Sequence, residues 1–388
     1  MSNIKEKDKE YIAPTYARFD LEITRGKGSL VWDESGREYI DLSTGIAVNT
    51  LGHCDEGWQK AVCEQAGKFQ HTSNLYYSAP GALLAEELCQ RTGAKKVFFS
   101  NSGAEANECA IKAARKWALE NKGEGYHNII TLKNSFHGRT VTTLAATGQD
   151  VFHTTFGPFP EGFLYTPAND SAALEEMISN NKCAAIMMEL VQGEGGVMAL
   201  DKEFVDTALR LARENNLLVI IDEVQTGNGR TGELYAFMHY GIEPDIVSTA
   251  KGLAGGLPLG ATMLFAKTES TLTPGSHGST FGANPICSAA ALYILKSLTP
   301  ELLSGVKERH EYIVRSLSGA PGIKSVSGLG LMLGIETEKD AGEVIAECMK
   351  AGVLPIKAKN KVRLLPALNI PFELLERAVE VIKAAAKP

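Results

Sequence analysis

The sequence predicts an α/β protein built on a large, mostly parallel sheet, with a smaller domain beside it. From about residue 56, segments with helical spacing alternate with short apolar segments, as in a doubly wound sheet. The clearest apolar segment, 217–221 (LLVII), lacks polar alternation and therefore suits a parallel strand that is covered on both faces. Glycine-rich loops follow several of these segments, at the positions where open α/β sheets bind their ligands.

The composition limits the kind of partner and compartment. A chain of 388 residues, 44% hydrophobic and 22% charged, is long enough for one large domain and a smaller one. The net charge of -7 argues against nucleic acid or a membrane as the main partner and favours small soluble ligands. Seven cysteines without a C-x-x-C pair fit reduced thiols in the cytoplasm. The charged amino terminus predicts no secretion signal, no apolar run approaches a membrane span, and no metal site is predicted.

The elements follow in a regular order. Residues 11–54 hold short strand-like segments separated by glycines, and short strands alternate with helices again from about residue 320. We predict that segments 1–54 and 291–388 form the small domain and that 55–290 forms the large domain. Within the large domain, we predict a helix over Ala82–Cys89, a strand over 95–100 and then a long helix. That helix carries its apolar residues at helical spacing, namely Ala110, Ala113, Ala114 and Trp117.

Two predicted strand ends carry charged residues that could flank one ligand. Strand 217–221 ends on Asp222 and Glu223, and the apolar stretch 245–249 leads Lys251 into a second glycine-rich loop. A carboxylate and a lysine could lie on either side of one cofactor ring. The spacing alone also has a plainer interpretation, because acids commonly follow strands and a lysine in a glycine loop is usually solvated.

Two other loops carry residues that suit a phosphate and a planar ring. Ser102, Gly103 and Ala104 form a turn between a strand and the long helix, and free backbone N–H groups there suit a phosphate. A tight turn with a capping serine would explain the same residues. In the loop that follows strand 127–132, Phe136 could stack on a ring and Arg139 could bind a carboxylate, although most arginines are simply solvated.

A third loop, 273–285, is long, polar and rich in glycine, with Thr280 at its centre. Its length and its small residues are unusual for a connection that only closes a fold. We therefore predict that it is functional or contacts another subunit.

Taken in order, the motifs resemble those of the class III aminotransferases, pyridoxal-phosphate enzymes of fold type I. The segments that carry the resemblance are SNSGAEANE, SFHGRT, VQGEGGV, VIIDEVQTGNGRTG, STAKGLAGG and HGSTFGANP. The resemblance extends over essentially the whole chain and implies a mostly parallel seven-stranded sheet, pyridoxal 5′-phosphate as cofactor and a homodimer with shared active sites. The chain departs from the family's commonest residues at Ala104, Leu190 and Ala283. Only Ala104 touches the expected site, and alanine keeps the backbone N–H that matters there.

The resemblance implies how the cofactor is held. Lys251 would bond covalently to the cofactor aldehyde and later act as general base and acid, because desolvation can lower the pKa of a lysine. Asp222 would pair with the pyridine nitrogen and keep it protonated. The other implied contacts are the phosphate cradle of Ser102, Gly103 and Ala104, Thr280 of the neighbouring subunit, the ring-stacking pair Phe136 and Val224, and Gln225 near the phenolic oxygen.

The resemblance also implies how substrates are recognised. Arg139, assisted by Tyr16, would bind the carboxylate far from the reacting amine, and Ser279 is expected among the substrate contacts. Arg363 would bind the α-carboxylate of glutamate, and Glu194 would mask Arg363 while an ω-amino donor is bound.

The substrate expected from the resemblance is an N-acylated ornithine. Gly45 stands where ornithine-type relatives carry a bulky tyrosine, so there is room for an acyl group. The expected reaction moves the δ-amino group of N2-acetylornithine to 2-oxoglutarate, giving N-acetylglutamate 5-semialdehyde and glutamate, a step in arginine biosynthesis. N-succinylornithine, N-succinyl-diaminopimelate semialdehyde, ornithine and γ-aminobutyrate are alternative substrates.

Two other functions stay open from the sequence. An aminomutase or epimerase could share the fold, but it needs no second amino acceptor, and Arg139, Glu194 and Arg363 argue for one. A nucleotide-binding protein without catalysis would also use glycine loops. The chain has no G-x-x-x-x-G-K-[ST] segment, and GLAGGLPLG follows a lysine instead of opening a helix with G-x-G-x-x-G spacing.

Overall fold

Strands and helices alternate through the middle of the chain, as the sequence predicts. The computed structural model describes residues 4–388, so the first three residues of the predicted small-domain segment 1–54 lie outside the described chain. The strands are β1 (Ile23–Lys27), β2 (Leu30–Asp33), β3 (Glu38–Asp41), β4 (Lys96–Ser100), β5 (Asn128–Leu132), β6 (Phe163–Thr166), β7 (Cys183–Met188), β8 (Val191–Gln192), β9 (Met198–Ala199), β10 (Leu218–Asp222), β11 (Ile246–Thr249), β12 (Gly260–Leu264), β13 (Ile323–Leu329), β14 (Met332–Thr337), β15 (Val353–Leu354), β16 (Ile356–Ala358) and β17 (Lys361–Leu364). The helices are α1 (Ile4–Tyr11), α2 (Thr44–Ala47), α3 (Glu56–Ala66), α4 (Ala79–Thr92), α5 (Gly103–Lys122), α6 (Val141–Ala146), α7 (Ser171–Asn180), α8 (Lys202–Glu214), α9 (Phe237–Tyr240), α10 (Pro285–Ser297), α11 (Pro300–Leu317), α12 (Ala341–Lys350) and α13 (Phe372–Ala386).

The central sheet has seven strands in the order β4-β12-β11-β10-β7-β5-β6. Strand β12 runs antiparallel to both neighbours, and the other pairings in this sheet are parallel. The prediction of a mostly parallel seven-stranded sheet is therefore confirmed. Because parallel strands end at the same edge, the loops after β4, β5, β7, β10 and β11 all open on one side of the molecule.

Strand β10 lies at the centre of the sheet, and all five of its residues are buried. The strand begins and ends one residue later than the predicted strand 217–221. The Leu217 N–H donates to the Ala212 carbonyl oxygen at the end of α8, whereas Asp222 still pairs in register with Ser248 of β11. Asp222 is therefore the last residue of the strand, which fixes the direction of its side chain.

Helix α5 packs against the sheet and begins at the edge where the loops open. Most of its buried residues are small, so the helix can approach the strands closely; these residues are Ala106, Cys109, Ala110, Ala113, Ala114 and Ala118. The Thr262 hydroxyl of β12 donates to the Ala106 carbonyl oxygen at 2.8 Å and adds a polar tie between the helix and the sheet. The helix ends at Lys122, and the residue that follows it, Gly123, has a φ of 88°, which suits glycine.

Two four-stranded sheets lie outside the central sheet, and one of them combines residues from both ends of the chain. One has the order β1-β2-β3-β15, in which β15 pairs with β3, and the other has the order β13-β14-β17-β16. The division into domains at residues 54 and 290 stays a prediction. The buried Arg230 guanidinium donates to the carbonyl oxygens of Leu331 and Pro366 and so connects the loop after β10 to the strands around β17.

Within residues 4–388 no single helix is long and apolar enough to cross a membrane. The consecutive pair α10 and α11 meets the length and composition criteria only when taken together, and it is bent by 72°.

Candidate active site

A cavity of about 420 Å³ lies at the carboxyl edge of the central sheet. It is lined by the loops after β4, β5, β7, β10 and β11, as the strand directions require. Nine of the residues that the sequence predicts for the site line this cavity: Ser102, Gly103, Ala104, Phe136, Arg139, Asp222, Val224, Gln225 and Lys251.

Asp222 is buried in this cavity and held by three hydrogen-bond donors. The Asn107 amide of α5 and the His137 Nδ1–H each donate to Oδ2 at 2.8 Å, and the Val224 N–H donates to Oδ1 at 3.0 Å. Asn107 also donates to the His137 carbonyl oxygen at 2.8 Å, so the helix and the loop after β5 are fixed around one carboxylate. Three donors offset the cost of burying the charge and set the direction in which it points.

His137 is the titratable partner of Asp222. Burial lowers the pKa of the imidazole, but its hydrogen bond to Asp222 and the charge of that carboxylate outweigh burial, so the net pKa is raised. The imidazole therefore retains a positive charge beside the Asp222 carboxylate to a higher pH than a free histidine would.

Lys251 lies two residues after the end of β11, in a short 3₁₀ turn over Lys251–Ala254. Its φ of 43° lies in the left-handed region, which is uncommon for a residue with a side chain and is often found at functional sites. Within residues 4–388, the ammonium group makes no hydrogen bond or salt bridge. Desolvation lowers the pKa of Lys251, and the charges of Glu194 and Asp222 oppose this effect only in part. A larger fraction of the lysine is therefore the neutral amine, which is the form that acts as nucleophile and base.

The turn before α5 is shaped for close approach of a ligand. The Ser102 hydroxyl accepts the Glu105 N–H at 3.2 Å, while the other N–H groups of the first helical turn have no partner within the helix. A Cβ added at Gly103 would lie 2.5 Å from Val224 Cγ1, so only glycine fits between this turn and the loop after β10. A phosphate at the amino end of the helix would be stabilised by these N–H groups and by the helix dipole.

On the other side of the cavity, aromatic rings hold Arg139. Its guanidinium carbon lies 5.4 Å from the centroid of the Phe136 ring and 4.4 Å from that of Phe152. Such cation–π contacts orient a guanidinium without neutralising it, so the charge is available to a carboxylate.

Arg363 and Glu194 form an ion pair beside the cavity. Arg363 Nη1 donates to Glu194 Oε1 at 2.6 Å and to Gln225 Oε1 at 3.2 Å, and Nη2 donates to Glu194 Oε2 at 3.4 Å. Burial raises the pKa of Glu194, but the Arg363 charge outweighs it and the net pKa is lowered. Arg363 is buried, and its Nε has no hydrogen-bond partner in residues 4–388. The guanidinium thus keeps an unused donor.

Four other predicted residues do not line the cavity within this chain. Tyr16 is exposed in the amino-terminal segment, with Arg18 over its ring at 5.6 Å. Gly45 has a φ of 66°, and a Cβ there would lie 3.8 Å from Val48, which does line the cavity. Ser279 accepts a hydrogen bond from Asn101 at 3.2 Å, and Thr280 is exposed next to it. Their roles stay predictions.

Three residues that line the cavity, Asn107, Glu189 and His137, are not among those that the sequence predicts for the site. Asn107 is a polar residue on the otherwise alanine-rich buried face of α5, and that contrast could have revealed it. Glu189 directly follows the wholly buried strand β7, the same signal that indicated Asp222. His137 lies within the SFHGRT segment, but its contact with Asp222 depends on how β5 and β10 pack.

Pyridoxal 5′-phosphate has an aldehyde, a ring nitrogen and a phosphate, and the cavity offers Lys251, Asp222 and the α5 turn to these groups. The glycine-only gap at Gly103 and the unpaired Lys251 amine fit this cofactor. Fold and site together define a pyridoxal-phosphate enzyme of fold type I.

Comparison with known proteins gives the family. Residues 11–386 match the family model described as aminotransferase class-III, and the chain belongs to this family. It is 50% identical over 381 residues to the acetylornithine aminotransferase of Haemophilus ducreyi, covering 98% of this chain and 97% of the relative. It is 45% identical over 383 residues to the succinylornithine transaminase of Citrobacter koseri, covering 96% and 94%. An ornithine aminotransferase structure from Toxoplasma gondii, with partial occupancy of PLP at its active site, superposes with a TM-score of 0.94 at 33% identity, covering 99% and 93%.

Proposed function

We propose that this aminotransferase moves the δ-amino group of N2-acetyl-L-ornithine to 2-oxoglutarate, giving N-acetylglutamate 5-semialdehyde and L-glutamate in arginine biosynthesis. The observation that carries the proposal is the Glu194–Arg363 ion pair, with Arg363 Nη1 and Glu194 Oε1 2.6 Å apart beside Gln225 and the cavity. An enzyme that accepts both an ω-amino donor and glutamate at one lysine needs a carboxylate-binding group that can be covered and uncovered.

Each residue of the site has a task in this reaction. Bound pyridoxal 5′-phosphate supplies the aldehyde that takes up the amino group and a protonated ring that withdraws electrons. The Lys251 amine removes the proton from the δ-carbon of the donor, which its lowered pKa favours. Asp222 holds its negative charge in the cavity for the ring nitrogen, and Ser102, Gly103 and Ala104 offer N–H groups to the phosphate.

Substrate carboxylates divide between two arginines. Arg139 is free to bind the α-carboxylate of the acyl-ornithine donor, far from the reacting δ-amine. Arg363 stays covered by Glu194 in that half-reaction and binds the α-carboxylate of glutamate in the other one.

The acyl group is accommodated by a small residue, since Gly45 leaves space next to Val48. The similarity to a succinylornithine transaminase makes N-succinylornithine the second candidate donor. Ornithine itself would leave the space at Gly45 empty and would bring an unpaired α-amino group into it.

We also infer a homodimer with shared active sites. The loops 71–77 and 273–281 meet through Asn74, which donates to the Ser279 carbonyl oxygen at 3.1 Å, and they expose large apolar side chains. Leu75, Tyr77 and Phe281 are 87%, 108% and 57% exposed, an unusual patch for a surface that stays in water. In such a dimer Thr280 would reach the neighbouring phosphate. The seven free cysteines suit the reducing cytoplasm that we infer as its compartment.

Single-turnover absorbance spectra of the PLP-loaded protein test the substrate. N-acetylornithine, N-succinylornithine, ornithine and γ-aminobutyrate would be compared at equal concentration, with 2-oxoglutarate added afterwards. We expect N-acetylornithine to discharge the lysine-bound cofactor fastest and 2-oxoglutarate to restore its spectrum. A faster reaction with ornithine would refute N-acetylornithine as the preferred donor. Recovery of the lysine-bound cofactor spectrum without an added oxo acid would favour an aminomutase or epimerase.

A further inference from the structure

Glu189 is a buried acid at the carboxyl end of β7 that has no task in the reaction described above. It is 5% exposed and lines the cavity next to Phe136 and Asp222. In residues 4–388 it forms no salt bridge with a lysine or an arginine. A buried acid without a cationic partner is costly, so its hydrogen bonds indicate why it is there.

The Glu189 carboxylate joins two loops of the site. Oε1 accepts the Phe136 N–H at 2.8 Å, in the loop after β5. Oε2 accepts the Gly193 N–H at 3.4 Å, one residue before Glu194 in the loop after β7. One side chain therefore fixes both the ring-stacking loop and the loop that covers Arg363. Gln192 provides a second tie between the same loops, since its Nε2 donates to the Lys133 carbonyl oxygen at 3.0 Å.

The two hydrogen bonds depend on the charge of Glu189. Burial raises the pKa of Glu189 to about 7, His137 opposes this effect and Asp222 adds to it. Glu189 also acts on Lys251 across the cavity, because its negative charge raises the pKa of the lysine. An ionised carboxylate offers two acceptor oxygens, whereas the protonated acid turns one of them into a hydroxyl that accepts an N–H poorly. Ionisation therefore keeps both loops attached.

We propose that Glu189 is a positioning residue for both half-reactions, holding Phe136 over the ring and returning the Glu194 loop to Arg363 after glutamate leaves. The inference rests on the proposed function, because the tasks of Phe136 and Glu194 come from it. Glu189 is then an anchor shared by two loops, so a displacement of the loop that carries Glu194 would also change the position of the loop that carries Phe136.

Hydrogen exchange of backbone amides in Glu189→Gln tests the anchor directly. The glutamine has nearly the same shape and keeps one acceptor oxygen, but its NH2 group cannot accept the second N–H. We expect about tenfold or faster exchange at Phe136 or Gly193, because a hydrogen bond to a charged group is lost. The variant is expected to fold, since Gln192 still ties the loops.

Glu223→Gln is the matched control. Glu223 is also buried, burial also raises its pKa to about 7, and it also accepts two hydrogen bonds, but from Phe237 N–H and the Thr226 hydroxyl. It therefore reproduces the loss of a buried charge without touching either loop. Unchanged exchange at both Phe136 and Gly193 in Glu189→Gln would overturn the proposal, and so would equal acceleration there in the control.

The wild-type protein provides a measurement that needs no variant. After correction for intrinsic exchange, protection of the Phe136 and Gly193 amides should fall between pH 8 and pH 6 relative to that of the β10 amides, which report pH-dependent changes in overall stability. Protection independent of pH would contradict the charge dependence of the anchor.

Kinetics then connect the anchor to the reaction. Glu189→Gln should weaken PLP binding and change the ratio of the glutamate and acyl-ornithine half-reactions, whereas the Glu223→Gln control should leave the ratio unchanged. An unchanged ratio would overturn the positioning role. The exchange measurements use protein without substrate, so their result does not depend on which substrate the enzyme prefers. A failed substrate ranking would refute the proposed function, whereas unchanged exchange would refute the Glu189 anchor.

Discussion

Replacing Glu194 by glutamine should change the balance between the two half-reactions. The variant keeps one acceptor for Arg363 but removes the negative charge and places an NH2 group against the guanidinium. In the wild-type protein, the α-carboxylate of glutamate must displace Glu194 before it can bind Arg363. In Glu194→Gln it displaces a neutral group, so glutamate and 2-oxoglutarate should bind more tightly.

The magnitude follows from the geometry of the pair. A hydrogen bond between charged groups contributes about 1.5–3 kcal/mol, and the short Nη1 to Oε1 bond of 2.6 Å belongs to this class. Arg363 is buried, but the Glu194 side chain is 33% exposed, so solvent screening reduces the contribution to about 1–2 kcal/mol. We therefore expect the specificity for glutamate relative to N-acetylornithine to rise by roughly 5- to 30-fold.

Single-turnover measurement of both half-reactions is the assay. Glu233→Gln is the control, because Glu233 forms a similar ion pair with Lys307 at 2.6 Å on the surface, away from the cavity. An unchanged ratio in Glu194→Gln, or equal losses in both half-reactions, would refute the switch. Arg363→Lys should show the opposite pattern and slow the glutamate half-reaction more, since lysine cannot form the two-pronged contact.

Three further predictions concern the cofactor site and stability. Gly103→Ala should weaken PLP binding at least about tenfold, because its Cβ would lie 2.5 Å from Val224 Cγ1. Titration of the cofactor-free protein with PLP measures the affinity, and an unchanged affinity would contradict the prediction. Asn107→Leu should lower kcat by roughly 10- to 100-fold, because Asp222 loses a hydrogen-bond donor at 2.8 Å. A change in KM alone would argue against a role of Asn107 in orienting Asp222. Burial raises the pKa of Glu223 from 4.5 to about 7, so the folded state loses stability as pH rises through this range, and Glu223→Gln should reduce that loss by on the order of 3 kcal/mol. Denaturant unfolding at pH 5 and pH 8 measures the difference, and equal losses in both proteins would contradict it.

Local patterns in the sequence were sufficient for the framework and for the residues at strand ends. The apolar run before Asp222 identifies a buried parallel strand, and the carboxyl ends of such strands share one edge. Spacing alone left the pairing of Asp222 with Lys251 open, and the structure shows that both residues line one cavity. Gly103 is found in the same way, since a strand, a glycine turn and a helix are consecutive in the chain.

Only the tertiary structure decided which distant side chains meet. Asn107 reaches Asp222 across 115 positions, and Arg363 reaches Glu194 across 169. No local periodicity encodes such a pair, because the meeting point depends on strand order, on the packing of α5 and on the position of β17. Glu189 shows the same division: its place after a buried strand is visible in the sequence, whereas its two acceptors join loops that only the folded sheet brings together.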